Sequence, residues 1–379
     1  MGGPHVVNLG REMTVQCQPE PSQHDTMRAG EPWYTPWQLG RPPGPASPFP
    51  TNVRCHGVSR SSIATGDLWH LNTLSTVLDR LANQVVLFRL GNLVFVTFGL
   101  FVALGAVVSL AGAGAILTGQ GLSGELFLAL ALGGSLAVVG GSWIAGLIVD
   151  YRLLFRQGWK ALRRPIFVSW GGLIAMPLAL GVFSLLSGFS ALLLLDALAR
   201  TVPIGHALGR LGCLCYGCCF GRPTGCRVAI TYRNPQAKAV RIGGLEGVPL
   251  HPAALYEAVL DVAIFLAVNL ATVMGVPLGV PTGLTLLLYG SGRFAIEFLR
   301  DNDGRILVAW LSLNHLMSLA VAALGGLAFC VLVASPERAP AISWTAGLGA
   351  VPWLLVAIMP SALIMFFGFA MHWRRVGHW

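Results

Sequence analysis

An arginine at the end of a long apolar run is what membrane chemistry on an anion requires, and this chain has one near the start of GRLGCLCYGCCFGRPT, residues 209–224. Holding a guanidinium at the edge of hydrocarbon costs several kcal/mol unless an anion or a strong acceptor compensates it. Arg210 therefore calls for a partner. Gly209, Gly212, Gly217 and Gly221 accompany it. Lacking a Cβ, they permit close approach of backbone N–H groups to a ligand, or of one helix to another. Both readings stand at this point.

A second polar stripe lies in LLLYGSGRFAIEFLRDND, residues 286–303. Tyr289, Arg293, Glu297 and Arg300 are spaced 4, 4 and 3, so a helix stacks them on one face. Arg293 and Glu297 can neutralise each other as an i,i+4 pair. The stripe still keeps an extra arginine and a phenol donor, and both suit an anionic oxygen. A third segment, HPAALYEAVLD from residue 251, places Pro252 in a first helical turn and is expected to bury Tyr256, Glu257 and Asp261. His251 precedes that helix, where an imidazole acts as acid or base near neutral pH or serves as a hydrogen-bonding anchor. His206, four residues before Arg210 and on its helical face, is the rival candidate.

Cys213, Cys215, Cys218, Cys219 and Cys226 fall within fourteen positions. Clustering invites a zinc or redox reading, but the single C-x2-C step at 215 and 218 has no second pair and no nearby H-x3-5-H. Small apolar packing is the expectation, with a disulfide as an alternative and no metal or cofactor.

These residues need a scaffold, and composition indicates which. Of 379 residues, 54% are apolar and 11% charged, with a mean hydropathy of +0.67, against about 25% charge in an average soluble domain. A soluble helical core would need charged faces that are missing here. Apolar stretches long enough to cross a bilayer lie near 92–113, 126–149, 167–186, 252–273, 279–296, 308–334 and 346–370, and 190–212 crosses despite Asp196, Arg200 and Arg210. The expected fold is an all-α polytopic integral membrane protein, with about seven to eight transmembrane helices around a lipid-accessible cavity. The net charge of +9 fits contact with anionic lipid. No repeat suggests the duplicated halves of many transporters.

Residues 1–66, with PPGPASPFP at 42–50, read as a largely disordered extension without the pattern of a signal peptide. Residues 67–83 read as an interfacial helix capped by Asp67, with Leu71, Leu74, Leu78 and Leu81 on one stripe. The membrane domain is expected at 84–335. A further helix and a basic tail follow at 336–379.

Taken together, the segments resemble the bacterial prolipoprotein diacylglyceryl transferase family. Its GRxGNFxNxExxG motif is matched in part by GRLGCLCYGCCFG at 209–221, and its HPxQLYE element by HPAALYE at 251–257. Its LYGxxRFxxEFxRxPD element resembles LYGSGRFAIEFLRDND at 288–303, and LSMGQxLSL is echoed by LSLNHLMSL from 311. VLFRLGNLVFVTFGLFVALG, 86–105, is similar to the family's first transmembrane helix and its lead-in.

The resemblance implies an enzyme of the bacterial inner membrane that moves the diacylglyceryl group of phosphatidylglycerol to the lipobox cysteine of a preprolipoprotein, releasing glycerol phosphate. Its partners would be membrane lipid and preprolipoprotein signal peptides, not nucleic acid. Arg210 and Arg293 match the family's two essential arginines and would hold the phosphodiester. Tyr289 and Glu297 match residues of the same pocket. Arg300, Cys213 and the four glycines fall in the matched motifs and are expected to line it. Departures accompany the matches. Trp170, in VSWGGLIA, stands where the family has a catalytic histidine, Cys213 and Cys218 replace an asparagine and a glutamate, and Phe98 replaces a tyrosine. Tryptophan accepts no proton, so His251, His206, Glu297 or a nearby guanidinium must activate the thiol. The alternatives are a relative with another acceptor, or a non-catalytic lipid-binding protein or transporter. The basic loops at 151–166, 222–241 and 300–305 share one side; the positive-inside rule puts it in the cytoplasm, and the resemblance puts it at the outer face.

Overall fold

The computed structural model describes residues 5–8, 14–17, 69–149, 151, 155, 158, 168–226, 228–300, 306–308, 311–340 and 344–377. Two units divide at Leu68 and Trp69. In the first, strands β1 (His5–Asn8) and β2 (Thr14–Cys17) pair antiparallel. Asp67, the side chains of Leu71 and Leu74, and most of the expected extension lie outside the described residues.

The second unit is a helical bundle. Helix α1 (Trp69–Ala82) leads into the hairpin β3 (Val86–Leu90) and β4 (Leu93–Val96). There follow α2 (Thr97–Gly119), α3 (Gly124–Val149), α4 (Ser169–Ser187) and α5 (Ala191–Tyr216). Two short strands, β5 (Ile230–Thr231) and β6 (Pro249–Leu250), pair around α6 (Lys238–Arg241). Helices α7 (Ala253–Val273) and α8 (Val280–Glu297), the short pair β7 (Ile306–Val308) and β8 (Leu311–Ser312), then α9 (Leu313–Leu332), α10 (Trp344–Ala370) and β9 (Met371–Trp373) complete it. Among the described residues, six helices, α2, α3, α4 from Trp170, α5, α7 and α9, are long and apolar enough to cross a membrane, against the seven to eight expected; α8 and α10, which cover the expected spans 279–296 and 346–370, are not among the six. This is a polytopic membrane protein.

The first crossing helix begins five residues later than the hydropathy of 92–113 indicates. Gly91, with φ of +57°, turns the chain so that β4 folds back on β3, and β4 also pairs with β9. The β-branched and aromatic run LVFV is thereby a strand, and Leu93 lies opposite Trp373. The start of the first crossing helix and the end of the chain thus meet at one end of the bundle.

Helix α1 uses its leucines on more than one surface. Leu78 is buried in a core with Val85, Leu214, Ile230 and Tyr232, whereas Leu81 is exposed. Polar contacts fasten the helix to the loop after α5. Asp79 Oδ1 accepts from Thr231 N at 2.9 Å, and Asn83 Oδ1 accepts from the backbone N–H groups of Arg233 and Asn234, each at 2.8 Å.

Close approach between helices rests on glycine. Gly105 of α2 and Gly205 of α5 meet so tightly that a Cβ on either would overlap the other's carbonyl oxygen, and Gly283 and Gly290 of α8 face α9 in the same manner. Such contacts supply dispersion where hydrocarbon removes the hydrophobic drive for helix association. Asp196, an anomaly by hydropathy, caps α8 from α5. Its carboxylate accepts from Gly279 N at 2.6 Å, Thr282 N at 3.0 Å and Thr282 Oγ1 at 2.5 Å. Arg200 is held by Asn269 Oδ1 at 3.3 Å and the Pro340 carbonyl at 2.7 Å. Both side chains are buried, and none of their buried polar atoms is left without a partner.

Candidate functional site

Four helix ends meet at one end of the bundle, each bringing polar groups. Arg210 lies two turns before the end of α5, Glu257 in the first turns of α7, Arg293 and Glu297 in the last turns of α8, and Asn314 in the first turn of α9. Arg300 follows α8 where the chain tightens: the N–H groups of Phe298, Leu299 and Arg300 each reach back three residues. That turn carries Arg300 into an isolated bridge with Gly221.

Glu257, wholly buried, is the centre. Its Oε2 lies 2.8 Å from Arg210 Nη2 and 3.7 Å from Arg293 Nε, and its Oε1 lies 3.2 Å from Arg300 Nη1. Glu297 is the second carboxylate. It pairs with Arg293 one turn back, stands 3.7 Å from Arg300 and accepts from Asn314 Nδ2 at 2.8 Å. Arg293 and Glu297 do neutralise each other as the spacing allows, but they do so inside a larger network. Among these ion pairs three guanidiniums face two carboxylates, one more cation than anion. Buried donors are left over as well: the Nε groups of Arg210 and Arg300 have no hydrogen-bond partner. An unpaired buried donor carries its desolvation cost without return. Spare guanidinium donors of this kind suit an anion with several oxygens; the acceptor Glu257 Oε2, although ion-paired, also lacks a hydrogen-bond partner.

Tyr289 borders this network and meets His206 edge to face, with ring centroids 5.6 Å apart. His206 Nδ1 lies 2.7 Å from Asp261 Oδ2, and Asp261 is buried whereas the imidazole is 35% exposed. A carboxylate behind one ring nitrogen fixes the tautomer and leaves the other nitrogen for a proton. His251 sits at the rim, where its backbone bonds Gly221 and Arg222 and its Nδ1 lies 3.3 Å from the Tyr256 hydroxyl. Tyr256 is only half-buried, unlike Glu257 and Asp261, because it points to the rim rather than between helices.

The four glycines fall in different surroundings. Gly212 packs on Phe98 and Phe101 of α2, Gly217 ends α5 with φ of +69° against Ala237, and Gly221 is pressed between His251 and Leu299. Gly209 faces open space. Trp170 stands in the first turn of α4 and, among the described residues, enters none of the ion pairs or hydrogen bonds of the cluster. Glu257 and Asp261 were legible as buried carboxylates but not as partners of Arg210 and His206; the first occupies the last position of HPAALYE. Asn314 gave no signal beyond its place in LSLNHLMSL.

Three cysteines adjoin the arginines. The Sγ atoms of Cys213, Cys218 and Cys219 all lie within 4.8 Å of one another, and Arg210 Nη1 approaches Cys219 Sγ at 3.6 Å. The C-x2-C partner, Cys215, is buried elsewhere, so chain spacing mispairs the group. The Cys219 thiol is held well below the ordinary thiol range, chiefly by hydrogen bonds from the Cys213 and Cys218 thiols and also by Arg300 and Arg210, against the opposing effect of burial.

An apolar groove of about 320 Å³ opens between α5 and α7 on their outward faces, lined by residues that include Ala207, Leu211, Leu255 and Ala258; none of the charged residues of the site lines it.

A sequence model of the family described as prolipoprotein diacylglyceryl transferase matches residues 85–331. A Geobacter sulfurreducens protein named phosphatidylglycerol–prolipoprotein diacylglyceryl transferase is 31% identical over 276 residues, covering 67% of this chain and 97% of that protein. Proteins of the same name from Oleidesulfovibrio alaskensis and Clostridium tetani are 30% and 26% identical, covering 68% and 63% of this chain and 96% and 94% of their own lengths.

Proposed function

Because this chain belongs to the prolipoprotein diacylglyceryl transferase family, we propose that it transfers the diacylglyceryl group of phosphatidylglycerol to the lipobox cysteine thiol of preprolipoproteins in the bacterial inner membrane. The observation that carries this reading is the convergence of Arg210, Arg293 and Arg300 on Glu257, with one positive charge in excess and two spare Nε–H donors.

The phosphodiester of the donor lipid carries one negative charge, equal to that excess. Its acyl chains stay in the surrounding hydrocarbon, to which the outward faces of α5 and α7 are exposed. Attack by sulfur on the glyceryl carbon breaks the bond to the phosphate oxygen. The electron pair leaves with glycerol phosphate, and charge grows on oxygens within reach of the guanidiniums. Donors already fixed in place stabilise that growth without reorganising. Glu257 and Glu297 hold the arginines in position and keep the unoccupied site from carrying three uncompensated charges.

The nucleophile must be a thiolate. Trp170 cannot take the proton, and we assign that role to His206, oriented by Asp261. His251 then acts at the rim, where its contact with Tyr256 suits it to guiding the acceptor segment. The active end is assigned to the outer face of the membrane; a reporter that fluoresces only in the cytoplasm, fused after Trp379, should stay dark.

Complementation tests the whole reading. A strain depleted of its own transferase should regain lipoprotein maturation when this protein is expressed. Failure with the protein inserted would favour a second reading, transfer to another thiol, for which Trp170 and the cysteines in the central motif speak. A purified protein converting phosphatidylglycerol with a small thiol but not with a lipobox peptide would establish it.

A further inference from the structure

The cysteines of the central motif do more than fill space. Apolar packing requires no convergence of sulfurs, yet three from two turns of chain come together here, one buried and two half-buried. Cys219 adopts φ of +57°, a left-handed conformation rare for a residue with a Cβ. Gly217, also left-handed, ends α5 two residues earlier, and this pair of turns folds Cys218 and Cys219 back beneath Cys213. The backbone accepts strain at the residue whose sulfur completes the group.

We propose that Cys213, Cys218 and Cys219 bind one zinc ion, and that its open fourth position receives the acceptor thiol. Tetrahedral zinc with bonds of about 2.3 Å sets sulfurs about 3.8 Å apart, so sulfurs within 4.8 Å need to close by only about 1 Å. Side-chain rotation suffices for that. No fourth His, Cys, Asp or Glu joins the group among the described residues, which is the ligand count of a catalytic rather than a structural zinc. Three soft sulfur donors select zinc over the hard cations.

The metal site stands on the sulfurs alone, whereas the role of its fourth position rests on the transfer reading above. In that role the acceptor S–H releases its proton to water as its sulfur joins the metal. A sulfur lone pair then forms the S–C bond while the C–O bond to phosphate breaks, and the oxygen keeps the electron pair. The zinc charge never changes. The resulting thioether is a poorer ligand than a thiolate and departs. A coordinated thiol is deprotonated outright near neutral pH, which supplies what the histidine replaced by Trp170 would have supplied.

The full chain, purified in detergent from zinc-supplemented cells, should carry about one zinc per molecule by mass spectrometric metal analysis, and Cys213→Ser, Cys218→Ser and Cys219→Ser should each lower this at least about tenfold. Cys226→Ser, outside the group, should retain it and thereby report folding. With cobalt in place of zinc, thiolate charge-transfer and tetrahedral d–d bands are expected; a lipobox peptide should shift the d–d bands, and the same peptide with serine for cysteine should not. Metal-free protein in which the trio titrates as free thiols, a disulfide within the trio, or full zinc in the serine variants would overturn the site. Bands indifferent to the cysteine peptide would overturn the open position. A zinc-loaded protein that responds to the peptide yet transfers no diacylglyceryl group would sink the transfer reading and leave the metal site intact.

Discussion

Helix α5 carries two buried polar regions, and they are built on opposite terms. Around Asp196 and Arg200 each charged group is occupied by protein: the carboxylate caps α8 through three donors, and the guanidinium holds an amide and a carbonyl. Around Arg210, three guanidiniums share two carboxylates and two Nε–H groups remain unpartnered. Burial is similar in the two regions and satisfaction is not. A buried charge whose bonds are all made by the fold serves architecture, whereas one left with spare donors is waiting for a ligand.

That contrast breaks if the two regions respond alike to mutation. Arg210→Ala and Arg293→Ala should each lower turnover about a thousandfold while the protein still inserts, measured as diacylglyceryl transfer from phosphatidylglycerol to a lipobox peptide; activity near wild type in either would refute their assignment to the leaving group. Asp196→Ala should do the reverse. It strips three donors of their acceptor and should cost about 2 kcal/mol of stability, seen in thermal unfolding, with turnover per folded molecule unchanged.

A satisfied group elsewhere sharpens the point. His372 of β9 accepts from Gly377 N at 2.9 Å, and burial, helped by Arg241, pushes its pKa down to about 4. The folded state resists protonating this ring and the unfolded chain does not. Its contribution is therefore complete above about pH 6.5 and is lost as pH falls toward 4, at about 1 kcal/mol per pH unit. Unfolding followed between pH 7 and 4.5 should show that decline, and His372→Gln should flatten it. The smallest effect is expected at Trp170, which joins neither network: Trp170→His should leave turnover within about twofold or raise it, and loss of folding would instead show that the indole packs a reshaped wall.

Much of this was legible in the chain. Charge-poor stretches of about 20 residues announced the six crossing helices found among the described residues, because hydrocarbon leaves a backbone few other options, and two further stretches, 279–296 and 346–370, that form helices outside that set. The 4, 4, 3 spacing of Tyr289, Arg293, Glu297 and Arg300 put them on one face, since helical periodicity is local. The start of α2 was misjudged, because 92–96 is as apolar as a helix and only pairing with β9 makes it a strand. The meeting of the sulfurs was not legible either, although the expected apolar packing holds: Cys213 lies in the core with Cys218 and Cys219 against it. Counting along the chain joined Cys215 to Cys218, whereas the left-handed turns at Gly217 and Cys219 bring Cys213 into that company instead.

The sequence alone determined that this is a membrane protein, which segments carry its arginines and which family motifs they fall in, because hydropathy, periodicity and motif are properties of neighbours along the chain. Tertiary structure alone decided that Glu257 is the common partner of Arg210, Arg293 and Arg300, that Asp261 stands behind His206, and that three particular sulfurs meet. Ion pairing and ligand geometry depend on distances of a few ångströms between residues tens of positions apart, and only the packed helices fix those.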